Sequence, residues 1–205
     1  MASHRVTFYD ISKRIFDCIF ALVGIVIFAI PMLVVALAVK LSSPGPVLYR
    51  AKRNGRFQVP FTQLKFRTMI WNAPDLRNPD GSTLSTKDDP RVTKVGRLLR
   101  QLSLDELPQF FNVLRGDMSF VGPRPDPLNV VDLYRPQDLK RFDAMPGITG
   151  WAIVHGRNDI PWEKRRDYDI EYVEIRSFGL DLKIIFMTLG MVFKRSGVYT
   201  PSERA

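Results

Sequence analysis

The chain has 205 residues, enough for one domain or for one domain with an appendage. Lysine and arginine total 30 against 21 aspartates and glutamates, and the resulting net charge of +9 favours an anionic partner: nucleic acid, an anionic membrane surface or a phosphorylated substrate. Cys18 is the only cysteine, which excludes an internal disulfide and a metal site built from several cysteines.

The first predicted element is a long apolar helix, Ile19 to Val39, which reads IFALVGIVIFAIPMLVVALAV and carries no charge. A helix of this length is roughly 30 Å long, about the thickness of the hydrocarbon core of a bilayer. The run is too long for the apolar part of a typical signal peptide, and no small-x-small cleavage site follows it. Because it is apolar on every face, the run also disfavours a soluble core helix, and we predict a membrane segment.

Two features favour a re-entrant helix over a spanning one, which remains the alternative. Pro31 lies inside the run, where a proline removes a helix hydrogen bond and bends the axis. A helix bent there, entering and leaving by the same face, keeps both flanking basic groups in the cytoplasm, provided that the carbonyl groups freed at the bend find partners. We therefore expect residues 1–41 to form a re-entrant membrane hairpin. The flanking basic residues are Arg5, Lys13 and Arg14 before the run, and Lys40, Arg50, Lys52 and Arg53 after it.

The remaining residues, 42–205, are predicted to form a mainly helical globular domain that begins with the breaker-rich SSPGPV segment. Two short strands, VLYRAKR and FTQLKFRTM, are expected around a turn at Asn54-Gly55, and the polar segment from Asn72 to Pro90 is expected to be a loop. The predicted fold class is α+β, mainly helical, with a small strand hairpin and interfacial amphipathic helices. The predicted helices are Val92 to Gln101, Asp105 to Arg115, the charged segment WEKRRDYDIEYVEIRS, and residues 178–195, which suit either the core or the membrane interface.

An acidic pair, Asp105 and Glu106, lies near the start of the segment SLDELPQFFNVLRGDMSFVGPRP, Ser103 to Pro125. With Ser103 before it the pair fits S-x-x-E, a capping box that needs no function. Alternatively, a carboxylate in a first helical turn stays ionised and can act as a nucleophile or metal ligand. Adjacent residues of a helix point about 100° apart, so the two carboxylates are expected to have separate roles. One carboxylate with substrate phosphate oxygens is a usual Mg²⁺ arrangement.

Several basic residues around this pair suit a phosphorylated substrate. In GPRP, two prolines restrict the backbone beside Arg124, whose guanidinium could clamp a phosphate; the alternative is a rigid loop with an incidental arginine. Lys65 and Arg67 alternate along a predicted strand and would share a face, although a solvated strand edge would look the same. Together these residues indicate an anionic substrate and a metal-assisted carboxylate nucleophile.

The order of the motifs resembles that of the bacterial sugar transferases, the monotopic phosphoglycosyl transferases that begin glycan assembly on a polyprenol carrier. The matching motifs are KRIFD, KFRTM, SLDELPQFFNVLRGDMSFVGPRP, PGITGWA followed by GR, and DLKIIF closing with KRSGVY. The resemblance extends from about Lys13 to Tyr199. The chain lacks the extra N-terminal membrane helices of larger members, so the minimal form of the family is expected.

The resemblance implies an enzyme that transfers a sugar 1-phosphate from a UDP-sugar to undecaprenyl phosphate and releases UMP. Asp105 would attack the β-phosphate and form a phosphosugar-aspartyl intermediate, with Mg²⁺ near Asp105, and the lipid phosphate would then attack that intermediate in a ping-pong scheme. Glu106 would assist or position. The resemblance also implies a location at the cytoplasmic face of the bacterial inner membrane, among its lipids. The oligomeric state is open, since the apolar helices could form a homodimer interface as easily as a membrane face. The phosphate contacts would be Lys65, Arg100 and Arg124, with Arg157 of HGRND contacting the nucleotide or sugar.

Two departures from the family pattern and two rival functions stand beside this interpretation. The family often has Ser-Pro at the helix break, whereas this chain has FAIP, so a hydroxyl that could satisfy a freed carbonyl is missing. The segment AIVHGRND stands where many relatives carry Gln and Asn, and its His155 suggests a different sugar. N-acetylated hexosamines, bacillosamine-type sugars, glucose and galactose are all open. The rivals are a membrane-bound, Mg²⁺-dependent phosphohydrolase and a basic membrane scaffold without catalysis. Nucleic acid is disfavoured because the basic residues are dispersed and no recognition motif is present.

Overall fold

The chain begins with two helices that meet at a sharp bend, in a computed structural model that describes residues 7–76, 88–156 and 160–194. Helix α1 spans Phe8–Ile27, helix α2 spans Ala29–Ser42, and the bend between them is 63°. A proline ring clashes with the carbonyl four residues earlier, which for Pro31 is that of Ile27, the last residue of α1. The predicted bend is therefore confirmed, with the break itself at Phe28.

Helix α1 packs one face against the rest of the protein and leaves the other exposed. Asp17, Ala21 and Gly24 are its buried residues. The Asp17 carboxylate accepts a hydrogen bond from the backbone N–H of Phe120 at 3.1 Å. A Cβ on Gly24 would lie 2.6 Å from the Phe110 ring, so glycine is what lets this ring reach the helix. Helix α1 is thus seated directly on the segment that follows the acidic pair.

A strand hairpin lies next in the chain. Strand β1, Leu48–Asn54, pairs antiparallel with strand β2, Pro60–Phe66. The hairpin is confirmed, but the connection is longer than the two-residue turn expected at Asn54-Gly55, since it contains a 3₁₀ turn at Arg56–Gln58. The outer edge of β2 is covered by Asn112, whose side-chain amide accepts from the Leu64 N–H and donates to the Thr62 carbonyl.

The acidic pair lies between two short helices. Helix α3 spans Lys94–Gln101 and helix α4 spans Gln109–Arg115, and a 3₁₀ turn at Leu104–Glu106 separates them. The single helix predicted from Asp105 to Arg115 is therefore wrong in its first turn. Ser103 adopts a left-handed conformation (φ 55°) that ends α3, and its side chain caps no helix, so the capping-box interpretation is wrong as well.

The C-terminal half is built on a short parallel strand pair. Strand β3, Ser119–Val121, pairs with strand β4, Gly147–Thr149, and two 3₁₀ segments, Leu128–Leu133 and Pro136–Asp143, lie between them in sequence. Val121, Trp151, Tyr172 and Ile184 form the buried cluster beside this pair. The helices that follow β4 are α5, Trp151–Val154, α6, Trp162–Ile175, and α7, Phe178–Lys194.

A buried polar junction ties α1 to the two C-terminal helices. Asp181 of α7 accepts hydrogen bonds from Lys13 at 2.7 Å, from the Tyr9 hydroxyl at 2.9 Å and from the Tyr172 hydroxyl at 2.8 Å. Because a buried carboxylate needs such partners, the junction fixes the angle at which α1 leaves the body.

The predicted α+β class, mainly helical with one small hairpin, is confirmed, and the helices predicted at 92–101, 162–177 and 178–195 are each present to within about two residues. Most of the loop predicted from Asn72 to Pro90 lies outside the described residues. No helix in the described ranges is by itself long and apolar enough to cross a bilayer, whereas α1 and α2 taken together meet that test of length and composition.

Candidate active site

The acidic pair sits where the bent helix meets the hairpin. The 3₁₀ turn that carries it is followed by Leu107, which is buried in one cluster with Val35 and Val39 of α2, Phe66 of β2 and Leu99 of α3. Three elements, α2, β2 and α3, therefore meet beside the turn that carries Asp105 and Glu106. The position of the pair relative to α2 is fixed by packing rather than by a flexible loop.

Asp105 is half-buried, and its surroundings disfavour the charged form. Burial, and to a lesser extent the neighbouring Glu106 carboxylate, raise its pKa from 3.8 to about 6, while the Lys65 and Arg100 charges act in the opposite direction. The sequence predicted a carboxylate kept ionised by a helix N-terminus. The structure changes the cause and the direction of the pKa shift but not the charge state: the pair lies on a three-residue 3₁₀ turn rather than in a first α-helical turn, so burial dominates. A carboxyl group with a pKa of about 6 is still mostly ionised at neutral pH.

Glu106 has a different environment from its neighbour. One of its oxygens accepts from the Lys65 ammonium at 2.8 Å, and the other accepts from the Gln109 side-chain amide at 3.0 Å. Asp105, in contrast, accepts no side-chain hydrogen bond from the part of the chain that the structure describes. The two carboxylates thus have different surroundings, with Glu106 engaged by protein groups and Asp105 without a side-chain donor among the described residues. That they have separate roles stays a prediction.

The predicted phosphate-binding residues are placed unequally. Lys65 contacts Glu106 and, like Arg100, lowers the pKa of Asp105, so the structure brings both to the pair. Arg100 also donates from Nε to the Thr68 hydroxyl at 3.0 Å. The Arg124 side chain is exposed, and no contact among the described residues joins it to the pair. Arg157 lies outside the described residues.

The loop that carries Arg124 is held through its backbone. Buried Arg141 donates to the Arg124 carbonyl at 2.9 Å and forms ion pairs with Asp126 and Asp169. On the other side of the loop, the Gly147 N–H donates to the Pro123 carbonyl at 2.9 Å. The rigidity predicted from the two prolines therefore has tertiary support, and the exposed guanidinium projects from a fixed backbone.

Arg67 does not share the role of Lys65, although the alternation of strand residues predicted a common face. Strand β2 ends at Phe66, and the buried Arg67 guanidinium donates to the carbonyls of Ser43 and Pro44, just past the end of α2. Arg14 acts in the same way at the end of α4, donating to the carbonyls of Val113 and Leu114. Both arginines satisfy carbonyls at or just beyond a helix C-terminus, where a positive charge is favourable.

Gln63 and Gln109 are site residues that sequence reasoning missed. Gln109 is fully buried, bonds to Glu106, and accepts from Gln63 at 3.0 Å. Two spacings in the sequence could have pointed to them. Gln109 follows Glu106 by three residues, and Gln63 precedes Lys65 by two, which places it on the same face of the strand.

Asp105 can serve as a metal ligand, although the site offers few protein ligands. The described residues contain no cluster of three or more histidine, cysteine, aspartate or glutamate side chains. Mg²⁺ suits such a site, because it keeps several waters and binds through one or two carboxylates with substrate phosphates. Asp105 fits this role better than Glu106, whose two oxygens already accept from Lys65 and Gln109. A cation there would also offset the unfavourable burial of the Asp105 charge.

A cavity of ≈ 370 Å³ lies elsewhere, at the base of α1. Tyr9, Lys13, Met118 and Tyr172 are among the residues that line it, and none of the predicted site residues does. The candidate site is therefore assigned from the chemistry of its side chains rather than from the size of a cavity.

Comparison with known proteins identifies a family. Residues 8–195 match the bacterial sugar transferase family. The chain is 43% identical to the uncharacterized sugar transferase EpsL of Bacillus subtilis (strain 168), with 92% of this chain and 90% of that protein covered. These matches confirm the resemblance seen in the sequence motifs.

Two further relatives have names that state an activity. The chain is 42% identical to the UDP-glucose:undecaprenyl-phosphate glucose-1-phosphate transferase of Escherichia coli (strain K12), with 91% of this chain covered. It is 38% identical to the UDP-N-acetylgalactosamine-undecaprenyl-phosphate N-acetylgalactosaminephosphotransferase of Aeromonas hydrophila, with 92% covered. The chain spans 41% of the length of the first protein and 45% of the second.

Proposed function

The chain belongs to the bacterial sugar transferase family, and from that premise we propose that it transfers a sugar 1-phosphate from a UDP-sugar to undecaprenyl phosphate and releases UMP. The named activities of the Escherichia coli and Aeromonas relatives support this class of donor and acceptor. The observation that carries the proposal is the contrast within the acidic pair. Asp105 is open to a substrate and flanked by the charges of Lys65 and Arg100, whereas Glu106 is already held by protein groups.

In the proposed reaction Asp105 is the nucleophile. One of its carboxylate oxygens bonds to the phosphorus that bears the sugar, the bond from that phosphorus to the UMP oxygen breaks, and UMP leaves with the electron pair. An oxygen of undecaprenyl phosphate then attacks the same phosphorus and releases Asp105. Splitting the transfer in two lets the soluble product leave before the lipid binds.

The charges around Asp105 suit this chemistry. The Lys65 and Arg100 side chains place positive charge where a diphosphate must approach a carboxylate, and they reduce the repulsion between the two anions. Mg²⁺ bound through Asp105 would supply further neutralisation of the diphosphate. Arg124, fixed through its backbone and exposed, is proposed as an additional phosphate contact, and Arg157 as a contact to the nucleotide or sugar.

We propose that α1 and α2 form a re-entrant membrane hairpin, with residues 1–41 as the membrane unit and 42–205 as the catalytic domain. The outward faces of the two helices carry large apolar side chains, among them Val26, Leu33 and Leu37, which are 60–71% exposed. Such a continuous apolar surface is unusual for a protein surrounded by water. Basic residues at both ends favour one shared, cytoplasmic side.

The same surface sets the depth of the site. Because Leu107 packs on α2 and Phe110 packs on α1, the acidic pair is held close to the apolar hairpin. On α7, Leu182, Phe186 and Leu189 are 41–69% exposed and suit contact with the membrane interface. A lipid phosphate at headgroup depth could then reach Asp105, while the nucleotide-sugar arrives from the cytoplasmic side of the inner membrane.

A covalent adduct is the decisive test of this function. Purified protein in detergent is mixed with Mg²⁺ and a panel of UDP-sugars that begins with glucose and N-acetylgalactosamine, without lipid acceptor, and its intact mass is measured. We expect a gain of one sugar phosphate that maps to Asp105, is discharged by undecaprenyl phosphate and is missing in Asp105→Asn. The sugar that labels identifies the donor.

Other outcomes identify the rival functions. Turnover with lipid but no adduct under any condition would mean direct transfer, with Asp105 serving only the metal. UMP release that continues without lipid beyond one turnover would indicate a phosphohydrolase. Neither adduct nor turnover across the panel, with lipid binding that survives Asp105→Asn, would indicate the basic membrane scaffold.

A further inference from the structure

We propose that Gln63 and Gln109 are positioning residues, which hold the Glu106 carboxylate in a single orientation and thereby fix the Lys65 ammonium beside Asp105. The inference deepens the proposed function, on which its catalytic consequence rests, while the positioning itself can be tested without substrate. It assigns a role to two buried amides that the proposed reaction does not use.

The side chains form one continuous chain of hydrogen bonds. Arg53 Nε donates to Gln63 Oε1 at 3.3 Å, and Gln63 Nε2 donates to Gln109 Oε1 at 3.0 Å. Gln109 Nε2 then donates to Glu106 Oε2 at 3.0 Å. The other carboxylate oxygen, Oε1, accepts from Lys65 Nζ at 2.8 Å. This chain of hydrogen bonds thus runs from Arg53 on β1, through Gln63 on β2 and Gln109 on α4, to Glu106 of the acidic pair.

The two ends of this chain fix the orientation of both amides. A guanidinium can only donate, so Gln63 must present its oxygen to Arg53 and its NH₂ group to Gln109. Gln109 must then present its oxygen to Gln63 and its NH₂ group to Glu106. An ionised carboxylate can only accept, so the arrangement is consistent at its other end. Flipping either amide would place two acceptors or two donors against each other.

Burial makes this arrangement costly to disturb. Gln109 is 0% exposed and Gln63 is 4% exposed. Amides are expensive to bury unless they are hydrogen-bonded, and a satisfied buried network favours one arrangement over the alternatives. Glu106 is therefore clamped from both sides, by an amide on α4 and by an ammonium on β2.

The consequence for the reaction concerns Lys65. Its side chain is long and flexible, and Glu106 is the anion that holds its ammonium at 2.8 Å. A Glu106 carboxylate that could rotate would release the ammonium from the position where its charge acts on Asp105. Gln109 thus acts through Glu106, and Gln63 acts through Gln109, without either amide touching the substrate.

The experiment is a double-mutant cycle between Gln109 and Glu106, with Gln109→Met, Glu106→Gln and the double variant. The melting temperature in detergent is measured without substrate, and kcat and KM for UMP release are measured with the labelling UDP-sugar. Gln63→Met tests the distal link. Thr188→Val is the matched control, because Thr188 bonds to Thr149 at 2.6 Å on α7, outside the hydrogen-bonded chain.

We expect Gln109→Met to lower the melting temperature by about 3–8 °C and kcat by about tenfold or more, with less than about a twofold change in KM. In the Glu106→Gln background the same change should lower kcat by less than about threefold, because the clamped carboxylate is already lost. Gln63→Met should lower kcat by a smaller factor than Gln109→Met. Thr188→Val should lower the melting temperature and leave kcat unchanged.

Two results would overturn the inference. Equal losses of kcat from Gln109→Met in both backgrounds would show that the amide is merely part of the core. Strictly additive shifts in melting temperature for Gln109 and Glu106 would show that the two side chains do not interact. The melting temperatures need no turnover, so they test the positioning even if the wild-type protein transfers none of the sugars. Such a lack of transfer would count against the proposed function alone.

Discussion

The Asp105 carboxylate is unfavourable for folding for the same reason that it suits nucleophilic attack. Burial and the Glu106 charge raise its pKa to about 6 from 3.8, so the folded protein binds a proton here more tightly than the unfolded chain does. The stability that this group confers is greatest below the unfolded pKa and is lost as the pH rises through about 6. A more basic carboxylate that lacks side-chain donors is also a better nucleophile.

Replacing this charge should separate stability from activity. We expect Asp105→Asn to abolish covalent labelling and to lower UMP release by at least about a thousandfold. At about pH 8 in EDTA the same variant should melt about 2–6 °C above the wild type, because it removes on the order of 1–2 kcal/mol of unfavourable burial. Melting curves in detergent and single-turnover assays measure the two effects.

The pH dependence supplies the control for that variant. As the pH falls from about 8 to about 5, the wild type should gain stability relative to Asp105→Asn, because Asp105 becomes protonated. The difference in melting temperature should therefore shrink toward zero. A difference that stays constant over this range, or an Asn variant that melts below the wild type at about pH 8, would show that the charge is not destabilising.

Arg141 and Arg124 make a matched pair at the residue scale, because one holds the backbone of the loop and the other projects from it. Arg141→Met leaves the carboxylates of Asp126 and Asp169 without their buried cation, which typically costs about 3–5 kcal/mol. We expect its melting temperature to fall by about 6–15 °C.

Arg124→Met removes an exposed side chain and should leave the melting temperature within about 1 °C of the wild type. It should nevertheless weaken turnover by about tenfold or more if the guanidinium binds a phosphate. Melting curves and kcat/KM for the UDP-sugar distinguish the two variants. Unchanged turnover in Arg124→Met would remove Arg124 from the site.

Among the elements, local periodicity predicted the hairpin strands β1 and β2 and most of the helices, but it did not predict the parallel pair of β3 and β4, and it failed where a distant contact decides the structure. The pattern of α6 and α7 and the alternation of β1 and β2 lie in neighbouring residues, and these elements are confirmed. Ser103 fits a capping box locally, yet the chain uses its left-handed conformation to end α3.

In the candidate site, too, some residues could be predicted from local sequence and others depend on distant contacts. The acidic pair and Lys65 could be predicted because their residue types and motifs carry chemistry. Arg67 was expected to share the face of Lys65, but its partners lie 23 and 24 residues earlier, at Pro44 and Ser43, and only the folded chain brings them together. Gln63 and Gln109 are 46 residues apart, and their hydrogen bond likewise cannot be predicted from the local sequence pattern.

The contact between α1 and α4 gives a prediction at the scale of elements. A Cβ at Gly24 would meet the Phe110 ring at 2.6 Å, so Gly24→Val should push α1 away from α4 and move the acidic pair relative to the apolar hairpin. We expect a melting temperature lower by about 3–8 °C and a clear loss of kcat with the lipid acceptor. Gly24→Val combined with Phe110→Ala should recover part of both, because the smaller side chain makes room.

The control for Gly24→Val is a second glycine within an α-helix. Gly190 of α7 has no atom within 4 Å of a built Cβ, so Gly190→Val should leave both readouts nearly unchanged. If Phe110→Ala does not relieve Gly24→Val, the loss comes from the helix itself rather than from the contact with α4.

Across the whole molecule, the distribution of charge and apolar surface implies one orientation of the protein relative to the membrane. The outward faces of α1 and α2 are apolar, and basic residues lie near both ends of the pair, among them Lys13, Arg14 and Lys40. Because Leu107 and Phe110, which follow the acidic pair, pack on this hairpin, the orientation of the hairpin is part of the proposed mechanism. In the proposed function, a lipid phosphate would reach Asp105 only if the bend lies in the bilayer and both ends return to the side of the catalytic domain.

That orientation can be tested with single cysteines in a Cys18→Ser background. Phe8→Cys and Ser42→Cys mark the two ends of the hairpin, Leu33→Cys marks a strongly exposed position just past the bend, and Glu163→Cys marks the catalytic domain. Each variant is treated with a membrane-impermeant maleimide in right-side-out and inverted inner-membrane vesicles.

A re-entrant hairpin predicts that both end positions label together with Glu163→Cys, in inverted vesicles, and that Leu33→Cys labels only after detergent is added. A spanning helix predicts that the two ends label in opposite vesicles, since about 30 Å of hydrocarbon would separate them. Labelling of Leu33→Cys without detergent, together with the other three positions in inverted vesicles, would place the apolar surface outside the membrane and remove the argument for a site at headgroup depth. Because the reagent reads topology rather than turnover, this result would hold whichever sugar the enzyme transfers.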